Sequence, residues 1–111
     1  MPKTSWKIAF LTILIAFGLF FIGCEVSPDA TFTVTYHGNG NTYGFPPVDN
    51  NKYSSGMEAI VLDKGSLLKE GYTFQNWNTH AQGTGDTYTS ADKIKITNRN
   101  VILFAIWVEH K

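Results

Sequence analysis

The sequence contains one cysteine, Cys24, among its 111 residues, so no disulfide can form within the chain. Charge is also scarce and balanced, with nine basic and nine acidic residues. A surface that binds nucleic acid needs clustered basic residues to neutralise phosphates, so this balance argues against nucleic acid as a partner. Charged residues make up 16% and aromatic residues 14% of the chain, a mixture that favours a small β-rich domain over a helical bundle.

The sequence also lacks the residue spacings that catalysis and metal binding require. Its three histidines, His37, His80 and His110, are far apart, and none has a second ligand at metal-site spacing. No serine lies in a Gly-x-Ser-x-Gly context, and the sequence contains no glycine-rich phosphate-binding motif with a lysine. We therefore expect a protein that is not an enzyme and that has no cofactor and no metal.

One group of oxygen-bearing side chains offers ligands for calcium, but its spacing matches no EF-hand loop. The group lies near glycines and consists of Asn39, Asn41, Asp49, Asn50, Asn51 and Asp86. Asparagine, aspartate and glycine are also the residues that tight turns prefer. We interpret the group as turn residues.

The longest hydrophobic run, Ile8 to Ile22, lies near the N-terminus behind Lys3 and Lys7. As a helix it would reach roughly 22 Å, short of the about 30 Å of bilayer hydrocarbon. That length is typical of the hydrophobic region of a secretory signal. The residues that end it, Phe21-Ile22-Gly23-Cys24, resemble a bacterial lipobox, in which a signal peptidase cleaves before a lipidated cysteine; Phe21 stands where leucine is usual.

This resemblance implies that residues 1–23 are a lipoprotein signal peptide and that Cys24 is lipidated. Residues 24–30 would then be the lipidated cysteine and a short tether, and the acyl chains on Cys24 would anchor the protein in a membrane of the bacterial cell envelope. Glu25 is not the aspartate that commonly retains lipoproteins at the inner membrane, so in a cell with two membranes we expect the outer membrane or the cell surface. The alternatives are an uncleaved anchor with an inert cysteine and secretion after cleavage elsewhere.

Residues 31–108 predict one small, mostly β domain. Threonines alternate with apolar or aromatic residues over residues 31–36. This pattern predicts a half-buried strand with Phe32, Val34 and Tyr36 on its inner face. Residues 101–108 are apolar on both faces, which predicts a central strand with cover on each side. Four further elements are expected: strands at 58–62 and 93–96, a single helical turn at Leu67 and Leu68, and a tight hairpin turn at 98–100.

The sequence pattern indicates that the chain is organised around residues 71–79, which hold three aromatic residues in nine positions. Tyr72 and Phe74 alternate with polar residues, and Trp77 breaks this alternation. A β-bulge or the end of the strand near Asn76 would turn the indole toward the core. We expect Tyr72, Phe74, Trp77 and Trp107 to form the core motif.

The segment from Gly38 to Asn51 runs for about fifteen residues without periodicity, and loops of this length are often functional. Tyr43, Phe45, Pro46 and Pro47 could form a rigid, exposed contact surface, and we name these four residues the candidate binding loop. The alternative is that Phe45 folds back and covers one end of the sheet.

Several blocks of the sequence resemble the internalin-type B-repeat, also called the Listeria–Bacteroides repeat, across residues 31–108. The blocks are residues 33–40, 53–56, 68–74, 77–85, Tyr88 and 103–107. Their most specific part is Gly-Tyr-Thr-Phe-x-x-Trp-Asn-Thr at residues 71–79, although Asn76 replaces the usual glycine before the tryptophan. The resemblance implies an α+β, mostly β domain of the β-grasp-like (ubiquitin-like) type. Such repeats usually occur in arrays on secreted or surface proteins, whereas this chain holds one copy.

Two functions are expected from these observations. The first is a non-enzymatic surface lipoprotein that presents one interaction or adhesion module to an unknown protein or glycan. The second is a periplasm-facing structural or scaffolding lipoprotein that binds peptidoglycan or another envelope protein. A third alternative is a regulatory or inhibitory subunit that docks onto a membrane enzyme by strand addition.

Overall fold

The computed structural model describes residues 29–110, which form six β-strands and no helix. The strands are β1 (Val34–His37), β2 (Glu58–Ile60), β3 (Tyr72–Asn78), β4 (Thr87–Tyr88), β5 (Lys93–Lys95) and β6 (Val101–Glu109). The mostly β prediction is thereby confirmed. The β-grasp-like assignment stays a prediction, since that fold includes a helix and none lies within these residues. The predicted signal peptide and Cys24 lie outside the described residues.

Four of the strands form a mixed sheet in the order β1-β6-β3-β4. β1 runs parallel to β6, with Val34 opposite Val101, while β3 is antiparallel to both β6 and β4. Parallel neighbours cannot be joined by a tight turn, so the whole chain between β1 and β6 acts as their connection. The prediction of a strand in the middle of the sheet at residues 101–108 is confirmed.

The other two strands, β2 and β5, form a separate antiparallel sheet with Ala59 opposite Ile94. This pairing overturns the predicted hairpin turn at 98–100, because β5 and β6 belong to different sheets. Residues 98–100 instead carry the chain from one sheet to the other. Asn100 secures this connection, since its Oδ1 accepts a hydrogen bond from the Thr33 N–H at 2.9 Å.

A bulge in β3 directs Trp77 into the core. The register of β3 against β6 shifts between Phe74 and Asn76, which leaves Gln75 as the extra residue. The shift was expected near Asn76, and it places the indole on the same side as Phe74, with ring centroids 5.1 Å apart. Trp77 is fully buried between the two sheets. Around it lies a cluster that includes Val34, Tyr36, Tyr53, Ala59, Val61, Leu67, Ile94, Ile96, Leu103 and Ala105.

The two faces of β6 have different surroundings. Leu103 and Ala105 are buried on the inner face, whereas on the outer face Ile102 is 49% and Val108 45% exposed. The prediction of cover on each side is therefore wrong. The reason is that the outer cover near β6 in the described chain is local. The His37 ring lies against Phe104, with ring centroids 5.1 Å apart, and the turn at residues 79–86 lies near Ile106, where a Cβ on Gly83 would be 3.6 Å from the side chain.

The isolated apolar pair Leu67 and Leu68 does not form the predicted helical turn. Leu67 is fully buried in the core, but Leu68 is exposed and forms an isolated antiparallel bridge with Tyr43. The extended backbone of that bridge is incompatible with a helical turn. The bridge also joins this segment to the candidate binding loop.

Candidate functional site

The candidate binding loop presents two aromatic side chains to solvent. Phe45 is 82% exposed and Tyr43 60% exposed, while Pro46 and Pro47 are partly buried. The alternative in which Phe45 covers the end of the sheet is excluded by this exposure. Leu68, across the bridge from Tyr43, is also exposed. Together these side chains form an apolar surface on a loop.

Backbone hydrogen bonds hold this loop in one conformation. The Tyr43 N–H donates to the Leu68 carbonyl at 3.0 Å, and the Leu68 N–H donates back to the Tyr43 carbonyl at 3.0 Å. Two residues later, the Phe45 N–H donates to the Ser66 Oγ at 3.1 Å. A loop fixed in this way loses little conformational entropy when it binds a partner.

Gly44 sets the turn between the two exposed aromatic residues. Its φ of +81° lies in the region that glycine adopts without a steric cost. A Cβ at this position would collide with the backbone carbonyl of Ser66. The Gly44 carbonyl in turn accepts a hydrogen bond from the Asn41 side-chain amide at 3.0 Å. Only glycine fits this close approach of two backbone segments.

The chain enters the domain beside the N-terminal end of β1. There Phe32 and Tyr53 form an antiparallel bridge, with hydrogen bonds of 2.8 and 2.9 Å. β1 then runs away from this point and ends at His37. The distance covered from Phe32 to His37 is about 17 Å, at about 3.3 Å per residue.

Residues 48–53 return along the outer edge of β1, where Val48 bridges Thr35. Phe45 precedes this returning segment and therefore lies near the C-terminal end of β1. The exposed aromatic side chains are thus at the end of the domain opposite the point where the chain enters it.

The returning segment is fixed by a polar cluster around Asp49. The Tyr53 hydroxyl donates to Asp49 Oδ2 at 2.6 Å, and the Asn51 N–H donates to Asp49 Oδ1 at 2.9 Å. Burial, together with this bond to the carboxylate, raises the pKa of Tyr53 above its usual value. Both carboxylate oxygens of Asp49 are therefore engaged in local structure.

The asparagines considered as calcium ligands are likewise engaged with the backbone. The Asn39 side-chain amide donates to the carbonyls of Ala81 and Ala105 at 2.9 and 2.8 Å. Asn39 has a φ of +54°, a conformation that asparagine tolerates in turns. Within residues 29–110 no group of three histidine, cysteine or acidic side chains is placed to hold a metal ion. The turn interpretation accounts for Asn39, Asn41 and Asp49.

The core motif occupies two environments. Trp77 is fully buried, and Phe74 and Trp107 pack against the core with their ring centroids 5.8 Å apart. Tyr72 lies outside this cluster, at the start of β3 opposite Glu109. Its ring lies 4.2 Å from the Lys69 ammonium, which is within the range of a cation–π contact.

One organising residue was missed by sequence reasoning, namely Asn78 at the end of β3. It is a buried polar residue whose side chain makes four hydrogen bonds. Its Oδ1 accepts from the backbone N–H groups of His80 and Gly85, both at 2.9 Å. Its position directly after the tryptophan of the 71–79 motif was the one available signal.

The three histidines are not brought together. His37 lies at the end of β1, where its Nδ1 accepts the Asn39 N–H at 3.0 Å. His110 contacts the Thr73 hydroxyl beyond β6, and His80 lies over Gly85 in the turn after β3.

In the part of the chain that the structure describes, no helix is long and apolar enough to cross a membrane.

Comparison with known proteins gives two relatives from Evansella cellulosilytica. One, provisionally named a Gly-rich membrane protein, is 38% identical over 70 residues, which cover 53% of this chain and 8% of that protein. The other, provisionally named a membrane protein, is 29% identical over 79 residues, covering 71% of this chain and 12% of that protein. The chain thus spans a small fraction of the length of these relatives. No solved structure matches it at comparable significance.

The family comparison covers most of the domain. The model of the Listeria-Bacteroides repeat domain matches residues 32–106, which include all of β1 to β5 and most of β6. The match contains the bulged strand with Trp77, the turn set by Asn78 and the loop with Phe45. This chain therefore belongs to the Listeria-Bacteroides repeat domain family.

Proposed function

We propose that the protein is a non-enzymatic lipoprotein of the bacterial envelope whose domain binds a protein or glycan partner through the candidate binding loop. The observation that carries this proposal is the 82% exposure of Phe45 on a loop fixed by hydrogen bonds. A large aromatic side chain that is held in the open contributes most when a partner covers it. A single exposed apolar side chain is common on protein surfaces and does not indicate a binding site. Here Tyr43 and Leu68 are exposed together with Phe45.

The proposed anchor is the acylated Cys24, on the basis of the lipobox resemblance. Between Cys24 and residue 30 the chain spans at most about 20 Å, so the domain stays near its membrane. The candidate binding loop lies at the opposite end of β1 from this tether, and so it would face away from the membrane. The names of the two relatives support a membrane-associated role, and we propose the outer membrane or cell surface as the location.

A second candidate function is a periplasm-facing scaffold that binds peptidoglycan or another envelope protein. The short tether favours it, because a domain held within about 20 Å of a membrane reaches little beyond it. The same loop would serve as the contact surface. The two functions differ in the side of the membrane on which the domain lies.

The test combines orientation with site-specific crosslinking of the full-length protein in intact cells. A photo-crosslinking residue replaces Phe45, and in a matched control it replaces Met57, which is exposed directly before β2. Protease treatment of intact and lysed cells reports the side of the membrane. We expect cleavage on intact cells and a discrete crosslinked partner from position 45 only. Equal crosslinking from both positions, or none from position 45, would show that the loop is not the binding surface.

If the domain is cleaved only after lysis while position 45 still crosslinks, the scaffold function replaces the surface function. Crosslinked material is identified by mass spectrometry after release by muramidase, which separates peptidoglycan from protein partners. Mass spectrometry of the wild-type protein tests the anchor independently, because an uncleaved signal segment would itself retain a Cys24→Ala variant in the membrane. A chain that begins at Cys24 and carries acyl chains is expected, and a chain without them would contradict lipidation at Cys24.

A further inference from the structure

The end of β3 leaves a notch in the four-stranded sheet beside β6. The last residue of β3 is Asn78, which lies opposite Phe104. β6 extends three residues beyond this point, to Val101, and β1 pairs with one of its edges there. If β3 continued in the same antiparallel register, His80 would lie opposite Ile102. No described strand occupies that position.

The alternation of backbone hydrogen bonds gives the direction of the Ile102 peptide groups. On the β1 side, the Val101 N–H donates to the Thr33 carbonyl at 2.9 Å. On the β3 side, the His110 N–H donates to the Gly71 carbonyl at 2.9 Å. Even-numbered residues of β6 therefore direct their N–H and C=O groups toward β3. Those of Ile102 point into the notch, and no turn residue among residues 29–110 bonds to them.

Asn78 is the reason that β3 does not fill this position. Its Oδ1 accepts the His80 N–H at 2.9 Å, the group that a longer β3 would have offered to the Ile102 carbonyl. Its Nδ2 donates to the Gly85 carbonyl at 3.2 Å and so closes the turn at residues 79–86. Because the Asn78 side chain is buried and fully bonded, the chain is held away from Ile102.

An open groove of about 640 Å³ lies at this notch, a size that is typical of ligand sites. Ile102 and Phe104 line its apolar part. Lys95 and Arg99 line the same groove, and neither side chain forms an ion pair with any residue between 29 and 110. The acidic residue in the lining is Asp86. The groove thus combines an unpaired backbone edge, an apolar floor and a surplus of positive charge.

We propose that this groove binds an extended peptide with a carboxylate side chain, which adds as a strand beside Ile102. An exposed N–H and C=O pair on a strand is a template for a further strand. The groove cations Lys95 and Arg99 would select a peptide with acidic side chains. This site is separate from the candidate binding loop, since Val101 and Ile102 lie beside the start of β1 and Phe45 near its end.

The first test measures amide hydrogen exchange by NMR in the full-length protein in detergent micelles. The probes are two heptapeptides, one of alternating valine and glutamate and one of alternating valine and lysine. We expect the glutamate peptide to slow exchange of the Ile102 amide at least about tenfold, as backbone pairing protects an amide. The Leu103 amide points to β1 and serves as the internal control. Binding that leaves Ile102 unprotected, or equal binding of both peptides, would overturn the proposal.

The second test uses variants and modified peptides. Lys95→Ala and Arg99→Ala should each raise the Kd of the glutamate peptide about two- to fivefold, as is usual for exposed ion pairs. Lys93→Ala, on the same strand but outside the groove lining, should leave it unchanged. In an extended peptide, every second amide N–H points toward β6. N-methylation of that set should abolish binding, whereas N-methylation of the other set should not. Equal losses for the two methylated peptides would overturn strand addition.

The Phe45→Ala variant separates this site from the candidate binding loop. Its affinity for the glutamate peptide should equal that of the wild type, even if the loop proves to bind nothing. A parallel loss of peptide binding in Phe45→Ala would contradict two separate sites. Saturable binding of a peptidoglycan fragment that displaces the peptide, with stronger affinity, would identify the groove as a glycan site instead and overturn the peptide proposal.

Discussion

Tyr36 and Trp77 meet edge to face in the core, with ring centroids 4.8 Å apart and an interplanar angle of 65°. Both rings also bind the backbone of the same residue. The Leu62 N–H donates to the Tyr36 hydroxyl and the Trp77 Nε1–H donates to the Leu62 carbonyl, each at 2.9 Å. Leu62 follows β2, so this pair ties the second sheet to the centre of the first.

Replacing Trp77 with alanine should unfold the domain. Truncating a fully buried large aromatic residue lowers the free energy of unfolding by about 3–5 kcal/mol, and the bond to Leu62 is lost with it. Thermal melting followed by circular dichroism measures the effect. Trp77→Phe is the control that keeps most of the ring, and it should melt between the two. A near-native melting temperature for Trp77→Ala would mean that the indole is not the centre of the core.

Stability should fall when pH rises above about 10. Burial raises the pKa of Tyr36 and of Tyr53 above the usual value, and the Asp49 carboxylate adds to this in both cases. Because the folded state favours the neutral phenols, their contribution is complete below the unfolded pKa and is lost as pH rises through the folded pKa. Urea midpoints between pH 8 and pH 11 measure the loss.

The matched control for this pH dependence is Tyr53→Phe, which removes one phenol and its bond to Asp49. Its stability should be lower at pH 8 and should decline less between pH 9 and pH 11. An identical decline in the variant and the wild type would show that Tyr53 does not contribute.

Replacing Gly44 with alanine should displace the candidate binding loop. Alanine at a φ of +81° is strained, and its Cβ would also collide with the Ser66 carbonyl. We expect a loss of about 1–3 kcal/mol in the free energy of unfolding. Gly56→Ala is the control, since φ is +95° there and the space beside it is open. Equal losses in both variants would indicate that strain alone acts and that the contact with Ser66 is unimportant.

Replacing Asn78 with aspartate should disrupt the turn after β3 although the shape is preserved. The side chain would lose its donors to the Gly85 carbonyl and the Thr87 hydroxyl, and a buried charge would face that carbonyl. We expect a loss of about 3 kcal/mol or more, measured by urea unfolding. Asn76→Asp, on the same strand and partly exposed, should cost much less. Comparable losses would contradict the role of Asn78.

The parts of the fold that could be predicted are those that local periodicity specifies. Alternation identified the inner faces of β1 and β5, and the break in alternation at Trp77 identified the bulge in β3. These features depend on neighbours two or three residues away along the chain. Polar and apolar residues that alternate leave one choice for the buried face.

The features that could not be predicted depend on contacts between distant residues. Residues 98–100 have the composition of a hairpin turn, but the pairing of β5 with β2 decides their role. The exposure of Phe45 depends on its bond to Ser66, 21 residues later. Asn78 looked like an ordinary residue at the end of a strand, and only the turn that folds around it reveals its four hydrogen bonds.

The parallel pairing of β1 with β6 has a mechanical consequence. If the chain is tethered at its N-terminus and a partner holds the loop near Phe45, tension passes along β1, which lies between those two points. Both ends of the pull lie on one continuous stretch of chain, so the backbone of β1 would carry the load first. The ladder from Val34 and Val101 to His37 and Phe104 would be loaded in shear only once residues 38–44 were drawn out, and hydrogen bonds loaded in shear resist together. With that tether and that partner, β1 would be the element that bears the load.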